Sequence, residues 1–88
     1  MSKEITLVNK YSQVCGEQLK RLRNYKRMSL RDLSDRTGIS YTAIRNYENG
    51  ERAMDIDQIV VLCNAMKKNP LEFLDECFEL IKKEENED

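Results

Sequence analysis

The stretch SLRDLSDRTGISYTAIRNYENG, residues 29–50, carries the start and stop signals of two short helices. Ser29 and Ser40 suit helix N-termini, because a serine hydroxyl can accept a hydrogen bond from a backbone N–H of the first turn. Gly38 and Gly50 suit the C-terminal ends, where the chain often turns into the left-handed conformation. The pattern predicts two helices of about eight residues each, joined by a turn of three residues.

Two short helices joined by such a turn form a helix-turn-helix. Gly38 supplies the residue that tolerates a positive φ in the turn. Ser34 supplies a small side chain where the two helices cross, and Ile44 supplies a branched apolar side chain that packs back from the second helix. Because these three residues stand at mutually consistent spacing, the stretch predicts a helix-turn-helix rather than two unrelated helices.

The rest of the sequence predicts three more helices in a single domain. A chain of 88 residues can bury one modest core, and three glycines and one proline leave long stretches free to be helical. Apolar residues at three-and-four spacing predict helices over 12–27, 56–66 and 70–84. Residues 1–11 form an arm whose ITLV segment suits a short strand or a helix, and residues 85–88 form an acidic tail.

The residue types present leave little room for catalysis or metal binding. The sequence has no histidine, which removes the usual general base and the commonest metal ligand. Its three cysteines, Cys15, Cys63 and Cys77, have no CxxC spacing, so we expect buried free thiols, no metal and no cofactor. No apolar run reaches the ~20 residues of a membrane span, and the start lacks the apolar core of a signal peptide, which predicts a cytoplasmic protein.

The formal net charge of −1 hides an uneven distribution of charge. Residues 16–52 hold nine Lys or Arg against five Asp or Glu, whereas residues 53–88 hold four Lys against ten acidic residues. Such asymmetry is typical of a chain that meets an anionic partner on one face, although chance placement of solvated charge gives the same count. The basic part coincides with the predicted helix-turn-helix.

Residues 16 to about 75 resemble the Cro and lambda-repressor family of bacterial and phage DNA-binding domains. The resemblance lies in LKRLRNYKRMSLRDLSDRTGIS for the first two helices and the turn, in YTAIRNYENGERAMDIDQIVVLCNAM for the third and fourth helices, and in NPLEFL for the start of the fifth. It implies a compact, all-α, five-helix fold like that of the lambda-repressor domain, with the helix-turn-helix at helices two and three. It also implies symmetric dimers on palindromic sites, with the third helix in the major groove of double-stranded DNA.

In that geometry, the outward side chains of the third helix meet the bases. Ile44 and Tyr47 are expected to face the core. The residues left facing outward are the candidates for base readout: Tyr41, Thr42, Arg45 and Asn46. Candidates for phosphate contacts flank this helix: Ser29, Arg31, Arg36, Ser40 and Arg52. The alternative interpretation of each is a solvated polar side chain, which any surface helix has.

The resemblance also implies a structural pair between Arg23 and Glu48, which would tie the first helix to the end of the third. Four positions depart from the family pattern, one of which is Met54, where the family often has a proline in the loop after the third helix. Ser34 stands where alanine is more usual and Thr37 where an apolar residue is usual. Leu30 occupies a position where a glutamine often contacts phosphate, so one phosphate contact is in doubt.

The predicted fifth helix carries more apolar residues than one small core requires. They continue a stripe at three-and-four spacing, and an exposed stripe of that kind marks an interface. The predicted contacts of a homodimer are Leu74, Cys77, Phe78 and Ile81. The alternative is that the arm 1–11 folds over this stripe within one chain.

These observations predict a sequence-specific, double-stranded DNA-binding transcriptional regulator, a repressor that acts as a homodimer on a palindromic operator. The alternative is a protein-interaction module, such as an antitoxin or adaptor, that uses the same fold and binds a protein partner through the acidic C-terminal part. An enzyme is not expected, because the sequence lacks histidine, a phosphate-binding glycine loop and a predicted pair of acids in a pocket.

Overall fold

A computed structural model of the chain describes the backbone of residues 3–86 and the side chains of residues 10–86. This part of the chain contains five helices and no strand: α1 (Lys3–Tyr25), α2 (Leu30–Thr37), α3 (Tyr41–Glu48), α4 (Ile56–Ala65) and α5 (Pro70–Asn86). The predicted all-α, five-helix fold is confirmed. The last two residues of the predicted acidic tail lie outside the described part, and the first two of the tail belong to α5.

The three helices after α1 begin at the residues that the caps predict. Ser29 Oγ accepts a hydrogen bond from the backbone N of Asp32 at 3.0 Å, and Ser40 Oγ accepts one from Ala43 N at 3.1 Å. Asp55 caps α4 in the same way, with its carboxylate accepting from the backbone of the third helical residue. Each cap satisfies an N–H that the first turn leaves free, so these starts are fixed locally.

Every helix contributes to one core. The side chains that solvent does not reach, or reaches least, include Leu19 from α1, Leu33 from α2, Ile44 and Tyr47 from α3, Leu62 and Cys63 from α4, and Phe73 and Cys77 from α5. Helix α1 packs against both α3 and α5, and α4 packs against both α2 and α5. The helix-turn-helix is therefore supported from behind by α1 and α4.

The first helix begins much earlier than the sequence predicts. The sequence predicts a start at residue 12, but α1 starts at Lys3, so Ser12 lies inside the helix and most of the arm 1–11 is helical. No glycine or proline precedes Gly16, so nothing stops the helix there. The β-branched residues of the ITLV segment disfavour a helix by only a few tenths of a kcal/mol each. Residues 1–2 lie outside the described part of the structure.

The N-terminal half of α1 lies along the C-terminal half of α5. Tyr11 Oη donates a hydrogen bond to Glu85 Oε2 at 3.3 Å, and Lys10 Nζ lies 3.8 Å from Glu84 Oε1. Because these polar pairs are largely exposed to solvent, they contribute little to stability. Apolar contact between the helices stabilises the arrangement, and it buries Val14 and Ile81.

This packing changes the surface that α5 offers to a second copy. Cys77 is fully buried and Ile81 is 7% exposed within the single chain, so neither has the free surface that the predicted homodimer contacts require. The structure differs from the prediction at these two residues because α1 reaches far enough along α5 to cover them. Phe78 remains 58% exposed and Leu74 is half-buried.

Candidate nucleic-acid interface

The turn between α2 and α3 is fixed by one glycine and one hydroxyl group. Gly38 has φ +77°, the left-handed conformation that the sequence predicts, and its N–H donates to Ser34 O at 2.9 Å. Ser34 Oγ donates to Ile39 O at 2.7 Å. Ser34 therefore fits the helix crossing by its small size and also holds the turn by its hydroxyl group.

Thr37 adds a second link across the same turn. Its Oγ1 donates to Leu33 O at 2.8 Å and accepts from Ile39 N at 3.1 Å. The hydroxyl group thus joins the last turn of α2 to the residue after Gly38. An apolar side chain, which the family pattern favours here, could form neither bond, so this departure from the pattern has a structural explanation.

Helix α3 turns one face to the core and the other to solvent. Ile44 and Tyr47 are 0% and 1% exposed, which confirms their predicted inward orientation. The predicted base-readout residues lie as follows: Tyr41 is 47% exposed, Thr42 and Arg45 are exposed, and Asn46 is half-buried. The first two turns of α3 therefore present a phenol, a hydroxyl with its methyl group, and a guanidinium, which are groups that recognise base edges.

The C-terminal end of α3 rests directly on the backbone of α1. A Cβ atom at Gly16 would overlap the carbonyl oxygen of Tyr47 and lie 3.1 Å from that of Glu48. Next to this contact, Gly50 has φ +75°, and a Cβ there would lie 2.7 Å from Gln13 Cγ. Residues 13–16 of α1 therefore form the surface on which the C-terminal end of α3 packs, here called the seat. Only glycine at position 16 lets α3 approach this surface so closely.

A buried ion pair completes the attachment of α3 to α1. Arg23 Nε donates to Glu48 Oε2 at 2.6 Å, and Arg23 Nη2 donates to Glu48 Oε1 at 3.0 Å. Arg23 Nη1 also donates to Met28 O at 2.8 Å, so the guanidinium holds the α1–α2 turn as well. The hydrogen bond to Glu48 raises the pKa of Arg23, so the guanidinium stays charged throughout the accessible pH range.

The N-terminus of α2, predicted as a phosphate site, already holds a carboxylate. Asp32 Oδ2 accepts from the backbone N of Ser29 at 3.0 Å, and this hydrogen bond lowers the pKa of the carboxyl group. Ser29 Oγ is occupied by Asp32 N. The negative charge of Asp32 faces the positive end of the helix dipole, so a phosphate would compete with it there.

The other predicted phosphate contacts lie in different surroundings. Arg31, Arg36 and Ser40 are exposed, and neither arginine forms an ion pair within residues 10–86. Ser40 Oγ accepts from Ala43 N, which leaves its O–H free to donate. Arg52 instead lies over the ring of Tyr47, at 5.9 Å from the centroid, beside the seat on α1. Arg52 is itself exposed, so it combines this contact with the ring and an accessible positive charge.

Within residues 10–86, no group of three or more His, Cys, Asp or Glu side chains gathers to hold a metal ion. As far as the chain is described, none of its helices combines the length and the apolar character that crossing a membrane requires.

Two residues that position this surface were missed in the sequence. Gly16 gave a usable signal, because a glycine inside an otherwise regular helical pattern indicates a close approach of another backbone. Thr37 was noted as a departure, but its two hydrogen bonds depend on the left-handed turn that follows it and could not be foreseen from the residue type alone.

Comparisons of the sequence and of the fold with known proteins also identify a helix-turn-helix. Residues 19–73 match a family model described as helix-turn-helix, a range that includes every predicted DNA contact. The fold is similar to that of the restriction-modification controller protein C.AhdI from Aeromonas hydrophila. The TM-score is 0.68 and the sequence identity is 26%, over 70% of this chain and 94% of that one. No curated protein matches the sequence.

Proposed function

The chain belongs to the Cro and lambda-repressor type of helix-turn-helix family, whose members are DNA-binding transcriptional regulators, and we propose that it represses transcription as a homodimer on a palindromic operator. The observation that carries this proposal is the exposure of Tyr41, Thr42 and Arg45 on the N-terminal turns of a helix whose opposite face is buried. In this docking geometry, the N-terminal residues of the second helix reach base edges in the major groove. The similarity to a restriction-modification controller supports a regulatory role.

Arg45 has the central part in base readout. Its guanidinium can bind guanine at two atoms, and a bidentate contact of this kind contributes about 1–3 kcal/mol of discrimination between bases. Thr42 suits a thymine methyl group, and Tyr41 suits a base edge or a phosphate. Asn46 is half-buried, so it would need a change of side-chain conformation to reach adenine. Arg31 and Ser40 would position the helix through phosphates.

The test is selection of binding sites from genomic DNA by the purified full chain, followed by affinity measurements at several salt concentrations. Arg45→Ala should weaken binding to the selected site by about 5- to 150-fold and relax the base preference. Arg31→Ala should weaken binding to all sequences and reduce the salt dependence by about one phosphate contact. Arg21→Ala is the matched control, since Arg21 is exposed in the cleft between α1 and α5. Enrichment of no site would refute the proposal.

The energetics of binding support a homodimer. One domain makes few phosphate contacts and would bind weakly at physiological salt, whereas two copies on half-sites about 34 Å apart double the contacts. The surface that suits this role is the α5 stripe, formed by Leu71, Leu74 and Phe78 at three-and-four spacing. Leu71 is 76% exposed, and an exposed apolar stripe of this kind is typical of an interface.

Sedimentation equilibrium of the parent chain and of a Leu71→Asp, Phe78→Asp double variant tests the dimer. The variant should be monomeric while keeping its helical content, because both side chains are exposed within the chain. Ile81 is unsuitable for substitution, since its burial would confuse unfolding with dissociation. Glu79→Lys, on the same helix, is the control for a change of charge. A monomeric parent at micromolar concentration would refute the dimer.

A second candidate function is a protein-interaction module such as an antitoxin or adaptor. The exposed apolar residues of α4 favour it, because the α5 stripe does not account for them: Ile56 is 65%, Val60 38% and Val61 41% exposed. Arg45→Ala separates the two candidates. Loss of operator binding with intact partner binding supports the regulator, and failure of the parent chain to bind any DNA fragment supports the interaction module.

A further inference from the structure

An open cavity, here called the cationic cavity, lies where the C-terminal ends of α1 and α4 meet the flank of α2. Its volume is about 240 Å³, and it is lined by Lys26, Met28, Arg36, Ala65, Met66 and Lys67. Three of these described residues are cations, and none of the six is acidic. We propose that this cavity binds the phosphate groups of a nucleoside di- or triphosphate whose base stacks on Tyr25. This inference is independent of the proposed DNA binding.

The three cations of the cavity are available to an anion. Lys26, Arg36 and Lys67 are exposed, and none of them forms an ion pair within residues 10–86. Asp32 lies one turn before Arg36 on α2, but it is not among the residues that line the cavity. Its carboxylate accepts a hydrogen bond from the backbone N of Ser29, so it is held at the other end of α2.

The ends of three helices reduce the positive charge of the cavity without cancelling it. Helices α1, α2 and α4 end at Tyr25, Thr37 and Ala65, at or next to residues that line the cavity. A helix C-terminus carries about half a negative charge, so three ends offset roughly half of the charge of the three cations. The remaining surplus, about one and a half positive charges, favours a ligand with several negative charges.

The closure of two helix ends leaves few backbone acceptors to compete with the ligand. Met28 N donates to Arg23 O at 3.1 Å, and Lys68 N donates to Cys63 O at 2.9 Å. The closure of α4 places Lys67 at φ +56°, a position where glycine is usual because a Cβ is disfavoured there. Backbone strain of this kind is often kept at functional sites, and here it puts an ammonium group on the cavity wall.

Arg36 faces this cavity and not the recognition helix. Ser34 marks the side of α2 that crosses α3, because its Oγ donates to Ile39 O at 2.7 Å. Arg36 follows two residues later, about 200° further round the helix, which agrees with its place on the cavity wall. Of the described residues 41–48 of α3, none lines the cavity. The cationic cavity is therefore separate from the face proposed to contact DNA.

An exposed aromatic ring stands at the rim of the cavity. Tyr25 is 78% exposed, and Lys26 Nζ lies 5.9 Å from the centroid of its ring. Because Lys26 also lines the cavity, one ligand can reach both the ring and the cations. The cavity has room for roughly eight water molecules at about 30 Å³ each, which suits phosphate groups and leaves the base outside. Every base can stack on an aromatic side chain, so Tyr25 suits this part of the ligand.

The test titrates the full chain with ATP, pyrophosphate and adenosine and follows the backbone amides by NMR, at about 150 mM salt to screen weak surface contacts. ATP should bind at least about 5-fold more tightly than pyrophosphate, because only ATP offers a base to stack. Adenosine should bind least. The shifted amides should belong to residues 25–28 and 65–67. The absence of saturable ATP binding, equal affinity for ATP and pyrophosphate, or shifts centred on residues 41–46 would each overturn the proposal.

Two variants separate the roles of charge and stacking. Lys26→Gln combined with Lys67→Gln should weaken the binding of ATP and of pyrophosphate by about tenfold or more. Lys20→Gln is the matched control, since Lys20 is an exposed lysine of α1 outside the cavity. Tyr25→Ala should weaken ATP binding by about 5- to 150-fold and leave pyrophosphate binding unchanged. A loss of ATP binding in the control as large as in the double variant would contradict this site, as would unchanged ATP binding in Tyr25→Ala.

The double lysine variant also separates this site from the DNA interface. Its affinity for the selected operator should stay close to that of the parent, since both lysines lie on the cavity away from α3. Equal losses of affinity for operator and for ATP would assign these cations to the DNA backbone and overturn the proposal. The ATP titration needs no operator, so failure to select one would refute the DNA proposal alone.

Discussion

Arg23 and Glu48 are the charged side chains that the described part of the molecule buries, and they are buried against each other. The pair joins α1 to the end of α3, and Arg23 also holds the carbonyl group of Met28. One guanidinium therefore fixes three segments of the chain relative to one another. The position of the outward face of α3 depends on this pair although neither residue lies on that face.

Glu48→Ala should lower the free energy of unfolding by about 3–5 kcal/mol, because it leaves the Arg23 charge buried without its partner. Urea denaturation measures this change. Glu51→Ala, at an exposed position three residues further on, is the control and should change stability by less than about 0.5 kcal/mol. Equal midpoints for Glu48→Ala and the parent would show that the pair does not stabilise the fold.

Gly16→Ala should destabilise the protein, which is the opposite of the usual effect inside a helix. Alanine at an open helical position gains about 1 kcal/mol over glycine. Here the new methyl group overlaps the carbonyl oxygen of Tyr47, so we expect a loss of about 1–3 kcal/mol as α3 is displaced. Thermal unfolding compares this variant with Asn24→Ala on the exposed side of α1. A more stable Gly16→Ala variant would contradict the close seating of α3.

Lys67→Gly should stabilise the protein. Lys67 has φ +56°, and the left-handed conformation costs a residue with a Cβ roughly 1–2 kcal/mol. The greater conformational freedom of glycine in the unfolded chain opposes this gain by roughly 0.4–1 kcal/mol. We therefore expect the free energy of unfolding to rise by a net amount of about 0.5–1 kcal/mol. Gly38→Ala is the reciprocal control. Its new methyl group would contact no atom within 4 Å, so the expected loss of about 1 kcal/mol comes from the backbone alone.

Thr37→Val keeps the shape of the side chain and removes the hydroxyl group. The amide of Ile39 and the carbonyl of Leu33 then lose a partner, and we expect a loss of about 1–2 kcal/mol. Thr42→Val makes the same chemical change at an exposed position and should leave stability within about 0.5 kcal/mol of the parent. Equal stability of the two variants would mean that the turn does not depend on the Thr37 hydroxyl.

The alkylation of Cys15 by iodoacetamide should depend on pH with a midpoint near 7, since a hydrogen bond with Cys77 lowers the pKa of Cys15 to about that value. The rate rises with pH because only the thiolate reacts, and it levels off above the midpoint. Cys63, whose pKa is raised to about 11 by burial, should remain unreactive across the same range. A midpoint near 9 for Cys15 would show that Cys77 does not stabilise its thiolate.

The helix-turn-helix was predictable because its boundaries are set by local chemistry. Ser29, Gly38 and Ser40 each act on backbone groups within a few residues, so residue type and spacing suffice. The inward orientation of Ile44 and Tyr47 follows from helical periodicity in the same way.

The start of α1 and the free surface of α5 were not predictable by such rules. The start of α1 at Lys3 lies nine residues before the predicted start, and α1 packs on α5, a contact between distant parts of the sequence that local rules do not reveal. That same contact buries Cys77 and Ile81, which helical periodicity assigns to one stripe with Phe78. Periodicity identifies the face of a helix, but it does not tell which neighbour covers each part of that face.

The seat beneath α3 separates two tasks along one helix. Gly16, Arg23 and Glu48 anchor its C-terminal end, whereas the side chains proposed to contact DNA stand at its N-terminal end. Residues 41, 42 and 45 are exposed, so we expect that they can be randomised together while the C-terminal attachment of α3 is kept. The protein is therefore suited to directed evolution, in which variants randomised at these three positions could be selected for binding to new operator sequences while the rest of the chain stays constant.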